Sequence, residues 1–138
     1  MNLDQELIRT RCQEIADSLE RLGRIKGKSK EEFLTDQDIK DIASYRLLVA
    51  IEAALGLCYH ISAKRLKKVP EDYANCFAIL AEAKIIPVDL SGRLQKMARF
   101  RNLLIHMYWK VDYGMLYDLI QRELDDLRTF SSIIASLL

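Results

Sequence analysis

The stretch R-N-L-L-I-H-M-Y-W, residues 101–109, sets Arg101, Asn102, His106, Tyr108 and Trp109 in an otherwise apolar segment. A histidine with an unperturbed pKa of about 6.5 exchanges protons near neutral pH, so His106 is a candidate general acid or base. An arginine is permanently charged and forked, so Arg101 is a candidate clamp for a phosphate on which negative charge builds up. Asn102 stands one helical turn before His106, where it can orient the ring or bind a phosphate oxygen. Proton transfer beside a stabilised anion requires no metal. The chain has two histidines and three cysteines, Cys12, Cys58 and Cys76, with no C-x-x-C spacing. No metal site and no cofactor is expected, and the cysteines read as small core residues of a reduced compartment.

On a helical wheel at about 100° per residue, Leu90, Leu94, Met97, Leu104 and Tyr108 line one side, with Arg101 inside that apolar arc. Asn102 and His106 share another side with Gln95 and Arg99. Arg101 and Tyr108 are nearly superposed, whereas the Cβ directions of Arg101 and His106 differ by about 140°. An arginine in an apolar arc is costly unless its head finds an anion or reaches water. A tyrosine there is ordinarily a core-edge residue with a hydrogen-bonded hydroxyl. If the motif forms one site, this helix bends or ends near His106, or Arg101 reaches around it, or two chains each contribute. Glu52, isolated in L-L-V-A-I-E-A-A-L-G-L-C-Y, also needs a partner. A hydrogen bond to a tyrosine, an ion pair with an arginine, and a supporting role that positions Arg101 all fit. His60 reads as structural, and Trp109 as packing at the end of its helix, with base stacking the lesser alternative.

The elements that carry these residues are helical throughout. Glycine and proline are scarce, and no stretch alternates apolar and polar residues over a strand length. A first helix is expected over about 3–25, with the stripe Ile8, Cys12, Ile15, Leu19 and Leu22, followed by the loop R-I-K-G-K-S-K. Thr35 is expected to cap a second helix that runs to about 68, with Asp36 and Asp38 in its first turn. Its apolar centre suits the middle of a bundle or a subunit interface. Pro70 opens a third helix (about 70–84), with Glu71 and Asp72 as first-turn acids, and Pro87 opens a fourth (about 87–109). Asp112 caps a fifth, striped by Leu116, Ile120, Leu124, Leu127, Phe130, Ile134 and Leu137. Long helices and short turns predict an all-α antiparallel bundle of four to five helices, forming one domain over 1–138.

Composition excludes several classes. The chain of 138 residues is 50% apolar and 30% charged with a formal net charge of +1, which describes a globular domain rather than a disordered one. No apolar run approaches the roughly 20 residues of a membrane span. The start M-N-L-D-Q-E-L lacks the basic-then-apolar plan of a secretory signal, so a cytoplasmic location is expected. Charge is nonetheless clustered. Residues 21–30, 64–68 and 90–111 carry arginines and lysines and no acid, which fits solvated helix ends and, alternatively, a basic surface that a near-neutral chain presents to a polyanion.

The arrangement R-x4-H-x-Y resembles the motif of HEPN-domain proteins, specifically the HepT-like toxins. The likeness extends to the apolar second helix with its embedded I-E, to V-P-E-D-Y-A-N-C-F, to I-I-P, to M-A-R-F-R-N-L-L-I-H and to the following V-D-Y. It covers nearly the whole chain. The resemblance implies a helical bundle that dimerises with the motif at a cleft between subunits. It implies metal-independent cleavage of RNA by a toxin encoded beside a minimal nucleotidyltransferase antitoxin. It implies further that the antitoxin silences the toxin by transferring AMP to the motif tyrosine, here Tyr108. Arg101 and His106 are then the catalytic pair, with Asn102 and Tyr108 positioning the substrate. One histidine cannot easily be acid and base at once, so a second copy from a dimer mate belongs to this reading. Two other readings fit the residues. One is a non-catalytic helical partner that binds nucleotides or the nucleotidyltransferase and uses Tyr108 only as a modification site. The other is a dimeric scaffold with a structural motif.

Overall fold

A computed structural model describes residues 3–138, which form α1 (Gln5–Lys26), α2 (Lys30–Thr35), α3 (Gln37–Lys64), α4 (Tyr73–Glu82), α5 (Val88–His106), a 3-10 turn (Tyr108–Lys110), α6 (Tyr113–Arg122) and α7 (Leu124–Ala135). Among the described residues there is no strand, in agreement with the all-α expectation.

The apolar α3 is the axis of the bundle. It packs along α1 and also meets α2, α4, α5 and α7. That placement explains a helix apolar on nearly every side: Leu47, Ala50, Ile51, Ala54, Leu57, Cys58 and Ile61 are all buried. Contrary to the expectation from apolar runs, α3 is long and apolar enough by length and composition to cross a membrane. Its buried residues instead join one core with Ile8, Phe33, Phe77, Leu94, Leu116 and Phe130. Cys58 and Cys76 lie within that core, and Cys12 is half-buried. Burial pushes the Cys58 thiol far up, away from the reactive thiolate. His60 is structural as expected, its Nε2 accepting the Asp4 backbone N–H at 2.9 Å.

Several helix ends differ from the sequence expectation, each for a local reason. The loop after α1 contains a helix of its own. Ser29 caps α2 in a reciprocal capping box with Glu32. Thr35 does not cap α3: it closes α2, donating its hydroxyl to the Glu31 carbonyl at 2.8 Å, and Asp36 caps α3 through the Ile39 N–H at 3.1 Å. The second helix ends at Lys64 rather than near 68. Lys67 takes a φ of 56°, and Ser62 binds Lys68 twice, accepting its N–H at 3.0 Å through the carbonyl and donating its hydroxyl to its carbonyl at 2.9 Å. Pro70 does not open α4; Asp72 does, as a cap accepting the Asn75 N–H at 2.7 Å. Pro87 is the cap residue of α5 rather than its first residue.

The expected fifth helix is two. Glu123, with φ −120° and ψ 4°, breaks it between α6 and α7. No glycine or proline marks the break. Packing accounts for it, because α6 lies on α1 and α2 while α7 lies on α1, α3 and α5. One stripe thereby covers two differently oriented surfaces: Leu116, Ile120, Leu124, Leu127, Phe130 and Ile134 are all buried.

Candidate active site

The motif straddles the end of α5. The helix stops at His106, not at 109, because Met107 leaves helical geometry at φ −140° and ψ 46°. Its N–H still bonds the Leu103 carbonyl at 3.0 Å, and Lys110 closes the 3-10 turn on the Met107 carbonyl at 2.8 Å. Asp112 then caps α6, as expected, by accepting the Met115 N–H at 3.1 Å. His106 therefore stands in the last turn, at the negative end of the helix dipole.

The wheel placed Tyr108 on the apolar arc; the helix end releases it. Tyr108 is 69% exposed and Trp109 is 66% exposed, so neither packs against the core. Their rings meet edge to face, with centroids 5.4 Å apart. Asn102 and His106 are also exposed, one turn apart on α5.

Arg101 is the opposite case, only 8% exposed. Its charge is met from three sides. Nε donates to the Glu52 carboxylate of α3, and Nη1 donates to the Asn102 side-chain oxygen at 3.1 Å. The guanidinium carbon lies 4.3 Å from the centre of the Tyr73 ring of α4. Glu52 thus finds an arginine rather than a tyrosine, and the two charges that looked costly in the sequence are each other's partner. The Glu52 side chain keeps 44% of its exposure, so this ion pair reaches water. Among the described residues Nη2 has no protein acceptor, and it is not sealed from solvent. That leaves one arm of the fork for an anion.

The structure brings Arg101, Asn102, Glu52 and Tyr73 together. Among the described residues no hydrogen bond or ion pair joins Arg101 to His106. A groove of about 270 Å³ opens beside the site, lined among others by Tyr45, Leu48, Leu104, Tyr108, Val111 and Tyr113. Ile42, Tyr45 and Ile105 add to the exposed apolar surface. Sequence reasoning missed Tyr73 as a site residue. Its motif E-D-Y was visible, but nothing in one sequence tells which helix the start of α4 will face. Among the described residues no three metal-ligating side chains come together.

The Ribonuclease HepT-like family profile matches residues 15–134. The chain belongs to that family. The matched span includes Glu52, Tyr73 and the whole of the R-x4-H-x-Y motif. This HepT-like chain is 24% identical over 129 residues to the mRNA nuclease HepT of Shewanella oneidensis, covering 94% of this chain and 96% of that one. Among solved structures it resembles a tri-AMPylated Shewanella oneidensis HEPN toxin in complex with MNT antitoxin, at a TM-score of 0.88 and 24% identity, covering 99% of both chains. It also resembles the cytosolic protein YutE of unknown function from Bacillus subtilis, at a TM-score of 0.77 and 20% identity, covering 94% of this chain and 90% of that one. At these identities the structural likenesses establish the HepT-like fold.

Proposed function

We propose that this chain is the toxin of a toxin–antitoxin system, a metal-independent endoribonuclease that acts in the cytoplasm as a homodimer of single-domain subunits. The observation that carries the reading is a buried arginine fork with one free arm, Arg101, five residues before an exposed helix-end histidine, His106, in a HepT-like chain. The S. oneidensis relative's description as an mRNA nuclease supports RNA as the substrate.

The chemistry follows from the residue types. His106 takes the proton of an RNA 2′-hydroxyl, whose oxygen attacks the adjacent phosphorus. Arg101 binds a non-bridging phosphate oxygen and stabilises the charge that builds there. The 5′-oxygen leaves with a proton, which His106 of a second copy supplies while the first holds the proton it took. A cyclic phosphate and a free 5′-hydroxyl result. Asn102 turns its side-chain oxygen to Arg101, which leaves its NH₂ for the phosphate or for the His106 ring. Tyr108 shapes the substrate cleft and is the acceptor of AMP from a cognate minimal nucleotidyltransferase antitoxin. Its exposure gives such an enzyme access, and the AMPylated relative in complex with an antitoxin supports the modification. Attached AMP would set bulk and negative charge where the RNA phosphate must bind.

The decisive experiment is cleavage of a mixed RNA by purified, unmodified protein without added metal. His106→Ala is expected to lower the rate by about 10²-fold or more with an unchanged melting temperature. Full activity in this variant would remove His106 from the chemistry. Inactivity of the wild type would favour the non-catalytic partner. An unaltered intact mass after co-expression with the nucleotidyltransferase would remove Tyr108 as acceptor.

A further inference from the structure

Arg101 is the long, flexible side chain on which the proposed phosphate binding depends, and three helices hold it. Glu52 and Asn102 contact Nε and Nη1 through hydrogen bonds, which lie in the plane of the guanidinium. Both partners are on exposed residues, where water competes for the same bonds. In-plane bonds from two exposed partners leave rotation of the fork about its own stem weakly resisted. The guanidinium carbon also lies over the ring of a different residue, Tyr73, 4.3 Å from its centre, a contact that is not a hydrogen bond.

We propose that Tyr73 is a positioning residue for the phosphate clamp: its ring fixes the plane of the Arg101 guanidinium and so aims the free Nη2 at the substrate phosphate. The proposal rests on the ribonuclease reading of Arg101.

Tyr73 is itself well held. It is the first residue of α4, immediately after the cap Asp72. Glu71 donates its N–H to the Asn75 side chain at 3.0 Å, and the preceding loop is tied to α3 by the Ser62–Lys68 pair. The Tyr73 ring also stands edge-on to Tyr59 of α3, at 5.9 Å and 78°. Glu52 and Tyr59 share that helix, so the acceptor of Nε and the support of the Tyr73 ring belong to one rigid element. An aromatic face attracts a cation without using any of its N–H groups. It therefore orients the fork and still leaves Nη2 free, which a third acceptor would not do. A ring against the guanidinium also displaces water, which strengthens the attraction between the exposed arm and an anion. The Tyr73 hydroxyl makes no hydrogen bond among the described residues, so the ring is the part that acts.

The test compares wild type, Tyr73→Phe and Tyr73→Leu by steady-state cleavage of a defined RNA, thermal melting and ¹H–¹⁵N spectra of the arginine side chains. Tyr73→Phe should keep kcat within about twofold, because it keeps the ring. Tyr73→Leu should lower kcat by roughly 3- to 30-fold, the rate equivalent of a cation–π contact. KM and melting temperature should change little. The Arg101 Nε–H signal should lie upfield under the ring in wild type and Tyr73→Phe, and move downfield in Tyr73→Leu. A wild-type kcat in Tyr73→Leu would overturn the proposal. So would a Tyr73→Phe defect as deep as that of leucine, which would point to the hydroxyl. If Tyr73→Leu does not fold, Tyr73→Met replaces it. An Arg101 Nε–H without ring shift in the folded wild type overturns the proposal with no variant at all. A wild-type protein that cleaves no RNA would instead overturn the ribonuclease reading and the aim at phosphate with it, while the spectra still decide whether Tyr73 holds Arg101.

Discussion

Arg101 is a charge carried into an apolar region, and Glu52, half-exposed at its edge, makes it tolerable. Replacing Glu52 by glutamine keeps an acceptor for Nε and removes the countercharge. Glu52→Gln should cost at most about 1 kcal/mol of stability, the scale of an ion pair open to water, with an unchanged denaturant slope in urea. An unshifted urea midpoint would mean that water already neutralises the pair. Both residues were conspicuous in the sequence because each was polar where its neighbours were apolar. Pairing them required knowing which helices touch, and a single sequence does not contain that. Tyr73 was harder still. A tyrosine three residues after a proline has no unusual pattern, and it faces Arg101 only because the loop 65–72 turns through Lys67 and is tied back at Ser62.

At the scale of elements, the periodic stripes of α1 and α5 were legible because a 3.6-residue period survives any arrangement of neighbours, and α3 was legible as an unbroken apolar run. The ends were less so. A helix end depends on which polar side chain reaches an unpaired N–H, and the expectation gave Thr35 and Pro70 the places that Asp36 and Asp72 take. The end of α5 matters most, since it separates Tyr108 from the arc it was expected to join. The break at Glu123 was illegible for a different reason: only the two surfaces beneath α6 and α7 demand it. One helix end offers a pH test. Hydrogen bonds from the Ser29 backbone and side chain hold the Glu32 carboxyl below its ordinary value. A depressed carboxylate contributes stability that is present above the unfolded-state pKa and lost as pH falls through the folded one. The protection of the α2 amides, measured against the intrinsic exchange rate at each pH, should therefore fall on acidification through that range in wild type. In Glu32→Gln the pH-linked part of the change should vanish, and its persistence would assign the effect to another group.

For the molecule as a whole, the surface around the motif is the least finished part. Ile42, Tyr45, Ile105, Tyr108 and Trp109 are all more than one-third exposed, although the chain has ample core to hide apolar side chains. Such a surface, beside a site whose proposed chemistry uses a second histidine, is what a twofold assembly would cover. Ile42→Glu should shift the protein toward monomer in light scattering and lower RNA cleavage about tenfold or more at concentrations near the dissociation constant, because an interface through this face would have to bury an unpaired charge. A variant that remains dimeric would move the interface elsewhere. A wild type monomeric at all concentrations would remove the shared-histidine mechanism. The sequence anticipated a helix fit for an interface, but it could not separate the face of α3 turned to the core from the face bearing Ile42 and Tyr45.

The chain contains one tryptophan, and the helix end leaves it in water at the mouth of the proposed site. The protein is therefore its own optical probe. Indole emission, unobscured by any second fluorophore of its kind, would report directly on whatever covers this surface, whether a nucleic acid, an antitoxin or another subunit. Each could be titrated without a label.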